Sequence, residues 1–204
     1  MADIAYRFAL YDAVTAFFLA MALAGRSRAN GQSPLAAFVL GCMTAALWPL
    51  GRECLLHGSP LAVFSAQGLQ LAWVLGGGCG VFVSRFLLVF ERFLALSETI
   101  AMSCAASFGV LCFLPRTDPC GALLCAFFLM PLSFVVCDVA VGDEARLLTE
   151  TSRFFRSLLG GIVCAAIVLY GPVFFPAAPL DGFALGCGVF LPLCLQGIFG
   201  RKPW

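Results

Sequence analysis

The sequence predicts an all-α membrane protein in which seven transmembrane helices form two inverted three-helix repeats followed by a seventh helix. The first observation is composition, because 62% of the residues are hydrophobic and 11% are charged, which no soluble domain of this size can accommodate. The second is a series of apolar segments of membrane-spanning length. The third is a recurrence of prolines and charged residues about 85 residues apart. A single transmembrane domain over residues 1–204 is expected.

Each apolar segment is near the length needed to cross about 30 Å of hydrocarbon. The segments lie at about 8–24, 34–56, 67–90, 94–114, 119–141, 155–176 and 182–199. Glycine and proline mark the short connections between them, and only 142–156 is long and charged enough for an amphipathic surface helix. The first segment ends in Ala22-Leu23-Ala24, which resembles a signal-peptide cleavage site. The acids before it and the arginines after it favour a retained helix.

Composition also argues against several other classes of protein. A net charge of +1 offers no electrostatic footprint for nucleic acid. The 11 cysteines form no CxxC pair and only His57 could join them, so neither a metal site nor a cofactor is expected. With one histidine and no nucleophile–base set, the chain is not expected to be an enzyme.

A proline and adjacent charges interrupt the second segment, in the stretch from Leu47 to Gly58. Pro49 removes a backbone hydrogen bond and clashes with the preceding turn, so a kink or break is expected here. Arg52 and Glu53 follow within the same apolar run, and ionisable residues in such places avoid lipid. The interpretation is a broken helix that faces the bundle interior. The alternative is a helix that ends early, with both charges reaching the headgroups.

The repeat is read from matching positions in the two halves of the chain. Pro34 and Pro119 open the second and fifth segments, 85 residues apart. Further matches at 85 or 86 residues join Arg52-Glu53 to Cys137-Asp138, Gly76 to Gly161, and Asp12 to Glu98. The interior prolines Pro49 and Pro131 recur three residues out of register. Because three helices per unit is odd, the second copy must be inverted, as in many transporters and some channels. The units are placed at about 8–90 and 94–176, with the extra helix at 182–199.

Orientation follows from the basic residues beside the segments. Eight Lys and Arg lie on one side and two on the other, which places the N-terminus outside and the C-terminus in the cytoplasm. Arg52 lies roughly 27 Å along its helix and Asp138 roughly 28 Å along its own, so each is near a membrane surface.

Two charged mouths are therefore expected. Asp12, Arg52 and Glu53 face outward, and Glu98 and Asp138 face inward. Since adjacent helical residues point about 100° apart, Arg52 is expected to pair with Asp12 and not with Glu53. Cys137 stands where the repeat would place a second arginine, so the inner mouth is expected to lack a fixed positive charge.

The run Thr44-Ala-Ala-Leu-Trp-Pro-Leu-Gly-Arg-Glu-Cys-Leu-Leu-His-Gly-Ser-Pro60 resembles the second-helix motif of bacterial trimeric intracellular cation (TRIC) channels. That motif reads Thr, two residues, Gly-Gly-Gly, two residues, Arg-Asp, an aliphatic run, Gly and Pro, and it recurs in the fifth helix. Here Leu47-Trp48-Pro49 replaces the glycine triplet, and Cys137 replaces the fifth-helix arginine. The resemblance spans essentially the whole chain.

The resemblance implies a homotrimer in the cell (inner) membrane, each protomer passing potassium, and also sodium, between kinked second and fifth helices. Membrane lipids are the other expected partners. The path is expected to involve Asp12, Thr44, Pro49, Gly51, Arg52, Glu53, Glu98, Pro131, Ser133 and Asp138. Some relatives are labelled glycine transporters, so a carrier of a small zwitterion remains the alternative, because it needs the same broken helices.

Overall fold

The computed structural model describes residues 2–58, 63–64, 67–142, 151–176 and 180–199. Within these ranges the side chains of 2–10, 87–92, 127, 130, 131, 134, 151–154, 181 and 197–199 lie outside the description. The helices are α1 (Ala2–Ala29), α2 (Pro34–Ala45), α3 (Leu47–His57), α4 (Gln67–Val83), α5 (Leu87–Phe113), α6 (Pro119–Ala140), α7 (Thr151–Phe174) and α8 (Leu180–Phe199).

The all-α membrane fold predicted from the sequence is confirmed. Each predicted segment contains a helix, and the second is divided between α2 and α3. The third, at 67–90, is longer than its helix, because α4 ends at Val83 and residues 87–90 belong to α5. Among the described residues, three helical stretches are long and apolar enough to cross a membrane, namely Pro34–His57, Phe93–Phe113 and Phe155–Phe174. Gln67–Val83 and Gly182–Gln196 are shorter apolar helices. Most of the expected surface helix at 142–156 lies outside the described residues.

The second and fifth predicted segments begin with the same local structure. Ser33 precedes Pro34 and accepts a hydrogen bond from the Ala36 N–H, with φ −61° and ψ 155°. Asp118 precedes Pro119 and accepts from the Gly121 N–H, with φ −63° and ψ 161°. A side-chain acceptor followed by proline satisfies the free N–H groups of a first turn. The two halves of the chain thus share this helix start, 85 residues apart.

The expected break in the second segment lies at Ala46, between α2 and α3. Pro49 has no N–H to offer the carbonyl four residues earlier, and its ring crowds that turn. The Ala46 N–H bonds to the Met43 carbonyl, three residues earlier, at 3.2 Å. This bond tightens the last turn of α2. By contrast, the backbone of α6 is helical without interruption from Pro119 to Ala140.

Two helices form the centre of the bundle. α1 packs against α2, α4 and α5, and α5 packs against α6, α7 and α8. Residues 19–27 of α1 and 101–111 of α5 are buried throughout. Since α1 opens the first proposed repeat and α5 opens the second, each unit is assembled around its own first helix.

Close approach of α4 to α1 depends on glycine. A Cβ added at Gly76 would lie 2.3 Å from the Phe17 carbonyl oxygen, and one added at Gly80 would lie 2.2 Å from that of Met21. Small residues let helix backbones meet where lipid supplies no hydrophobic drive between them. The two glycines thus let α4 pack closely on the part of α1 that lies between Asp12 and Arg26.

Candidate functional site

Arg52 is the centre of a buried ionic cluster at one end of the bundle, here called the Arg52 cluster (Asp12, Arg52 and Glu53). Both terminal nitrogens of its guanidinium donate to the Asp12 carboxylate, with 2.6 Å between Nη2 and Oδ2. The guanidinium carbon also lies 4.9 Å from the centre of the Phe108 ring, a cation–π distance. This two-point contact fixes the mutual orientation of both groups. The predicted contact between Arg52 and Asp12 is present, and it ties α3 to α1.

The expectation that Arg52 and Glu53 do not pair is wrong. Nη2 of Arg52 lies 3.0 Å from Oε1 of Glu53, and Nε lies 3.3 Å from the same oxygen. The 100° separation applies where side chains leave the helix, whereas both of these side chains are long enough to bend towards each other. Because a guanidinium has five N–H donors, Arg52 bonds both carboxylates at once.

The cluster continues to the surface through two residues to which the sequence assigned no role. Glu53 Oε2 lies 2.6 Å from Nδ1 of His57, one turn further along α3. Nε2 of His57 lies 2.9 Å from Nη2 of Arg116, which follows α5, and Arg116 also donates to the Leu56 carbonyl at 2.5 Å. Since an arginine can only donate, this geometry requires Nε2 to accept and therefore Nδ1–H to donate to Glu53.

A second buried ionic cluster lies at the other end of α1, and we call it the Arg26 cluster (Arg26, Glu98 and Asp138). Nη1 of Arg26 donates to Oδ1 of Asp138 at 2.7 Å, and Nη2 forms an ion pair with Glu98. All three residues are at most 8% exposed. The cluster joins α1, α5 and α6 in the bundle interior.

The expectation that this end lacks a fixed positive charge is therefore wrong. Arg26 follows the first apolar segment in the sequence, a position that predicts a loop residue, but α1 continues to Ala29. Arg26 thus lies within the helix and turns inward. Arg26 directly follows an apolar run and lies about four turns beyond Asp12 on the same face of the helix. This spacing is the sequence signal that identifies Arg26 as a buried charge.

Between the clusters, the expected polar residues bond to their own helices. Thr44 Oγ1 donates to the Leu40 carbonyl at 2.6 Å, and Ser133 Oγ donates to the Leu129 carbonyl at 2.8 Å. The Cys137 thiol lies 3.3 Å from the Thr44 carbonyl, which joins α6 to the end of α2. These hydroxyls are satisfied within the protein in this structure.

Trp48 fills the space beside these groups. Its side chain is 1% exposed. A Cβ added at Gly109 would lie 3.0 Å from the indole Cη2, so the ring packs directly on the bare backbone of α5. Its Nε1 is buried with no hydrogen-bond partner, which is costly in a core. A bulky ring therefore occupies the place where the resembled motif has a glycine.

The remaining predicted site residues border the same region. Pro49 is buried in the first turn of α3. Gly51 faces α6, where an added Cβ would lie 2.6 Å from Leu129 Cδ1. The side chain of Pro131 lies outside the described residues.

The two clusters share one charge composition, with one arginine and two carboxylates in each. Asp12 and Arg26 are 14 residues apart on α1, which corresponds to a rise of about 21 Å. When the three residues that define each cluster are ionised, their charges sum to one negative charge. In the part of the chain that the structure describes, no group of three or more His, Cys, Asp or Glu is arranged to hold a metal ion.

These features define a class, namely helical membrane proteins with ionisable residues inside the bundle, a pattern that marks ion or solute pathways. The chain is similar to the TRIC trimeric intracellular cation channel orthologue from Rhodobacter sphaeroides, at 19% identity and a TM-score of 0.79 over 95% of this chain and 98% of that one. A crystal structure of a prokaryotic TRIC channel in 0.5 M KCl matches at 16% identity and a TM-score of 0.81, over 99% of this chain and 100% of that one.

No protein-family model matches the chain, and no curated protein matches it. At identities this low, the two structural matches establish the fold. The chain has the fold of the TRIC channels, so the resemblance read from its sequence is confirmed at that level.

Proposed function

We propose that the protein is a passive TRIC-like channel for monovalent cations, chiefly potassium and also sodium. The path runs inside each protomer, between α2–α3 and α6. The two solved structures with this fold are named as cation and TRIC channels. The polar residues proposed for the path belong to α1, α2, α3, α5 and α6.

The observation that carries this proposal is the matched excess of carboxylates at both ends of α1. Within the three residues that define each cluster, Asp12 and Glu53 outnumber Arg52, and Glu98 and Asp138 outnumber Arg26. Excess negative charge beside low-dielectric walls raises the local cation concentration. An anion path would be expected to show the opposite ratio.

Conduction requires the helices that lie between the two clusters to move. Thr44 and Ser133 bond to their own helices, and Trp48 fills the space beside Gly109. The break at Ala46 allows α2 and α3 to move separately, because Pro49 leaves the hydrogen-bond ladder incomplete there. A shift of α3 would carry Trp48 away from α5 and turn carbonyl groups near the break towards the path.

The proposal includes the setting of the protein. A homotrimer in the cell (inner) membrane, with the N-terminus outside and the C-terminus in the cytoplasm, agrees with the word trimeric in the name of one structural match and with the distribution of basic residues. Large apolar side chains are exposed on the outer surfaces of α7 and α8, including Val173, Phe174, Phe183 and Phe190. Lipid or neighbouring protomers would cover them.

The test is flux through liposomes that contain the purified protein. Potassium and sodium currents are compared with exchange of labelled glycine in the same preparation. Asp138→Asn leaves Arg26 paired with Glu98, so the variant should fold, and removing the excess charge should lower potassium flux several-fold. Asp118→Asn is the matched control, because Asp118 is exposed and asparagine also caps a helix.

The expected result is potassium current in the wild type and in Asp118→Asn, with a reduced current in Asp138→Asn. Glycine exchange without potassium current would overturn the proposal and establish a carrier. Equal currents in all three proteins would remove the Arg26 cluster from the ion path.

A further inference from the structure

The region between the two clusters departs from the repeat. Trp48 corresponds to Ser133, 85 residues later. The Trp48 ring packs on the backbone of Gly109 in α5, whereas Ser133 donates to the Leu129 carbonyl of its own helix. The helix that carries Trp48 is separated from α2 at Ala46, and α6, which carries Ser133, is continuous. Of these two equivalent positions, the first alone combines a bulky ring with a helix break.

α3 contacts α5 at two adjacent residues, here called the α3 seat (Phe108 and Gly109). Trp48 and Arg52 are four residues apart, so they lie on one face of α3. Cη2 of Trp48 lies 3.0 Å from the position that a Cβ would take at Gly109. The guanidinium carbon of Arg52 lies 4.9 Å from the ring centre of Phe108. Arg52 also bonds Asp12, with 2.6 Å between Nη2 and Oδ2, so the same side chain ties α3 to α1 and to α5.

We propose that Phe108 and Gly109 are the seat of a gate, which opens when α3 shifts away from α5 separately from α2. This inference rests on the proposed function. Pro49 leaves the hydrogen-bond ladder between α2 and α3 incomplete, so one helix can move without the other. Because the Arg52 side chain is long, it can keep its bonds to Asp12 during such a shift.

The seated position of α3 has a free-energy cost that favours movement. Nε1 of Trp48 is buried with no hydrogen-bond partner, and an unpaired buried donor is costly. A shift of α3 brings the indole to the water of the path, where the N–H finds an acceptor. Phe108 acts in the opposite direction as a positioning residue, because its ring holds Arg52 by a cation–π contact without adding a charge to the cluster.

Disulfides on the two sides of the helix break test which half moves. A Cβ added at Gly51 would lie 3.7 Å from Cγ of Leu129, close to where the sulfur of a cysteine at 129 would lie. Gly51→Cys with Leu129→Cys should therefore form a disulfide between α3 and α6. A Cβ added at Gly77 would lie 2.8 Å from Sγ of Cys42, so Gly77→Cys should bond this native thiol and join α4 to α2.

The two disulfides should have different effects on flux. Oxidation should lower potassium flux at least about tenfold in the α3–α6 variant, because α3 can no longer leave its seat, and reduction should restore it. The α4–α2 variant and the wild type should keep their flux under the same treatment. Mass spectrometry verifies each disulfide. Undiminished flux through the oxidised α3–α6 variant, or an equal loss in both variants, would overturn the proposal.

Movement of α3 can also be measured without ion current, from the fluorescence of Trp48. Trp73→Phe and Trp204→Phe leave Trp48 as the one tryptophan of the chain, and water-soluble acrylamide quenches an indole that it can reach. In this background Phe108→Leu removes the aromatic half of the seat and keeps an apolar side chain, so quenching should rise severalfold. Phe113→Leu makes the same change at another buried position of α5 and should leave quenching low.

The quenching experiment separates this inference from the proposed function. Equal quenching in Phe108→Leu and Phe113→Leu would show that the seat does not hold α3, and the inference would fail even if potassium current is present. Higher quenching in Phe108→Leu, with no potassium current through any of the proteins, would overturn the proposed function while establishing that α3 moves.

Discussion

The Arg52 and Arg26 clusters have the same charge composition but differ in their access to solvent. The carboxylate side chains of Asp12 and Glu53 are 14% and 13% exposed, and Glu53 bonds His57, whose side chain is 50% exposed. Those of Glu98 and Asp138 are 8% and 7% exposed. The Arg52 cluster thus connects to the surface through a hydrogen-bonded histidine.

A different contact lies near the Arg26 cluster. Asn30, just after α1, donates to the Val141 carbonyl at 3.1 Å and so links the ends of α1 and α6. Two carboxylates per arginine are therefore found both in a partly exposed cluster and in an enclosed one. The more enclosed cluster should contribute more to stability, and the more accessible one should respond more to solution conditions.

The largest expected effect is on stability at the Arg26 end. Arg26→Ala removes the guanidinium that contacts both Glu98 and Asp138 in the bundle interior, which should cost about 3–5 kcal/mol of unfolding free energy. Arg52→Ala should cost less, because Glu53 keeps His57 and both acids lie nearer to solvent. Thermal unfolding in detergent measures both, with Arg85→Ala as the exposed control. Equal losses from the two substitutions would remove the distinction between the clusters.

The next expected effect concerns the barrier between the clusters. Trp48→Ala should raise potassium flux severalfold because it removes the ring that packs on Gly109. It should also destabilise the fold by about 3–5 kcal/mol through the cavity left behind. Trp48→Phe keeps most of the bulk and is the matched control. If flux in Trp48→Ala stays at the wild-type level in protein of confirmed assembly, the indole does not obstruct the path.

A smaller effect is expected from the helix break that lies beside the Arg52 cluster alone. Pro49→Ala restores the missing backbone donor and lets α2 and α3 join, so flux should fall while assembly is retained. Pro172→Ala in α7 makes the same chemical change in an exposed helical position. Wild-type flux in Pro49→Ala would mean that the break has no role in conduction.

The smallest expected effect is at the exposed end of the Arg52 cluster. His57 bridges Glu53 and Arg116, and His57→Ala removes this bridge. Cation entry at the Arg52 end should change less than in Pro49→Ala, because Arg52 still bonds Asp12 and Glu53. Current–voltage curves measure this change, and an effect as large as that of Trp48→Ala would place His57 in the ion path.

Features that follow from chain-local physics were predictable from the sequence. Segment length and hydrophobicity gave the helices, Pro34 and Pro119 gave matching starts, and Pro49 gave the break to within three residues. The pairing of Arg52 with Asp12 followed from both residues lying near the same membrane surface.

Features that depend on helix packing and on long side chains were not predictable in the same way. Arg26 was assigned to a loop because hydropathy ends before α1 does. The contact of Arg52 with Glu53 depends on side-chain conformation and not on helix angle. The position of Trp48 against Gly109 requires knowing that α3 approaches α5 at that point.

The placement of Asp12 and Arg26 on one helix has a mechanical consequence. Fourteen residues separate them, so at 3.6 residues per turn they project within about 40° of each other. A rotation of α1 about its own axis would withdraw both charges from their partners in a single step, whereas a tilt would displace them in opposite directions. Gly76 and Gly80 clamp α1 against α4 at the intervening turns, so both motions are resisted at the midpoint. A movement of α1 would therefore affect the Arg52 cluster and the Arg26 cluster together.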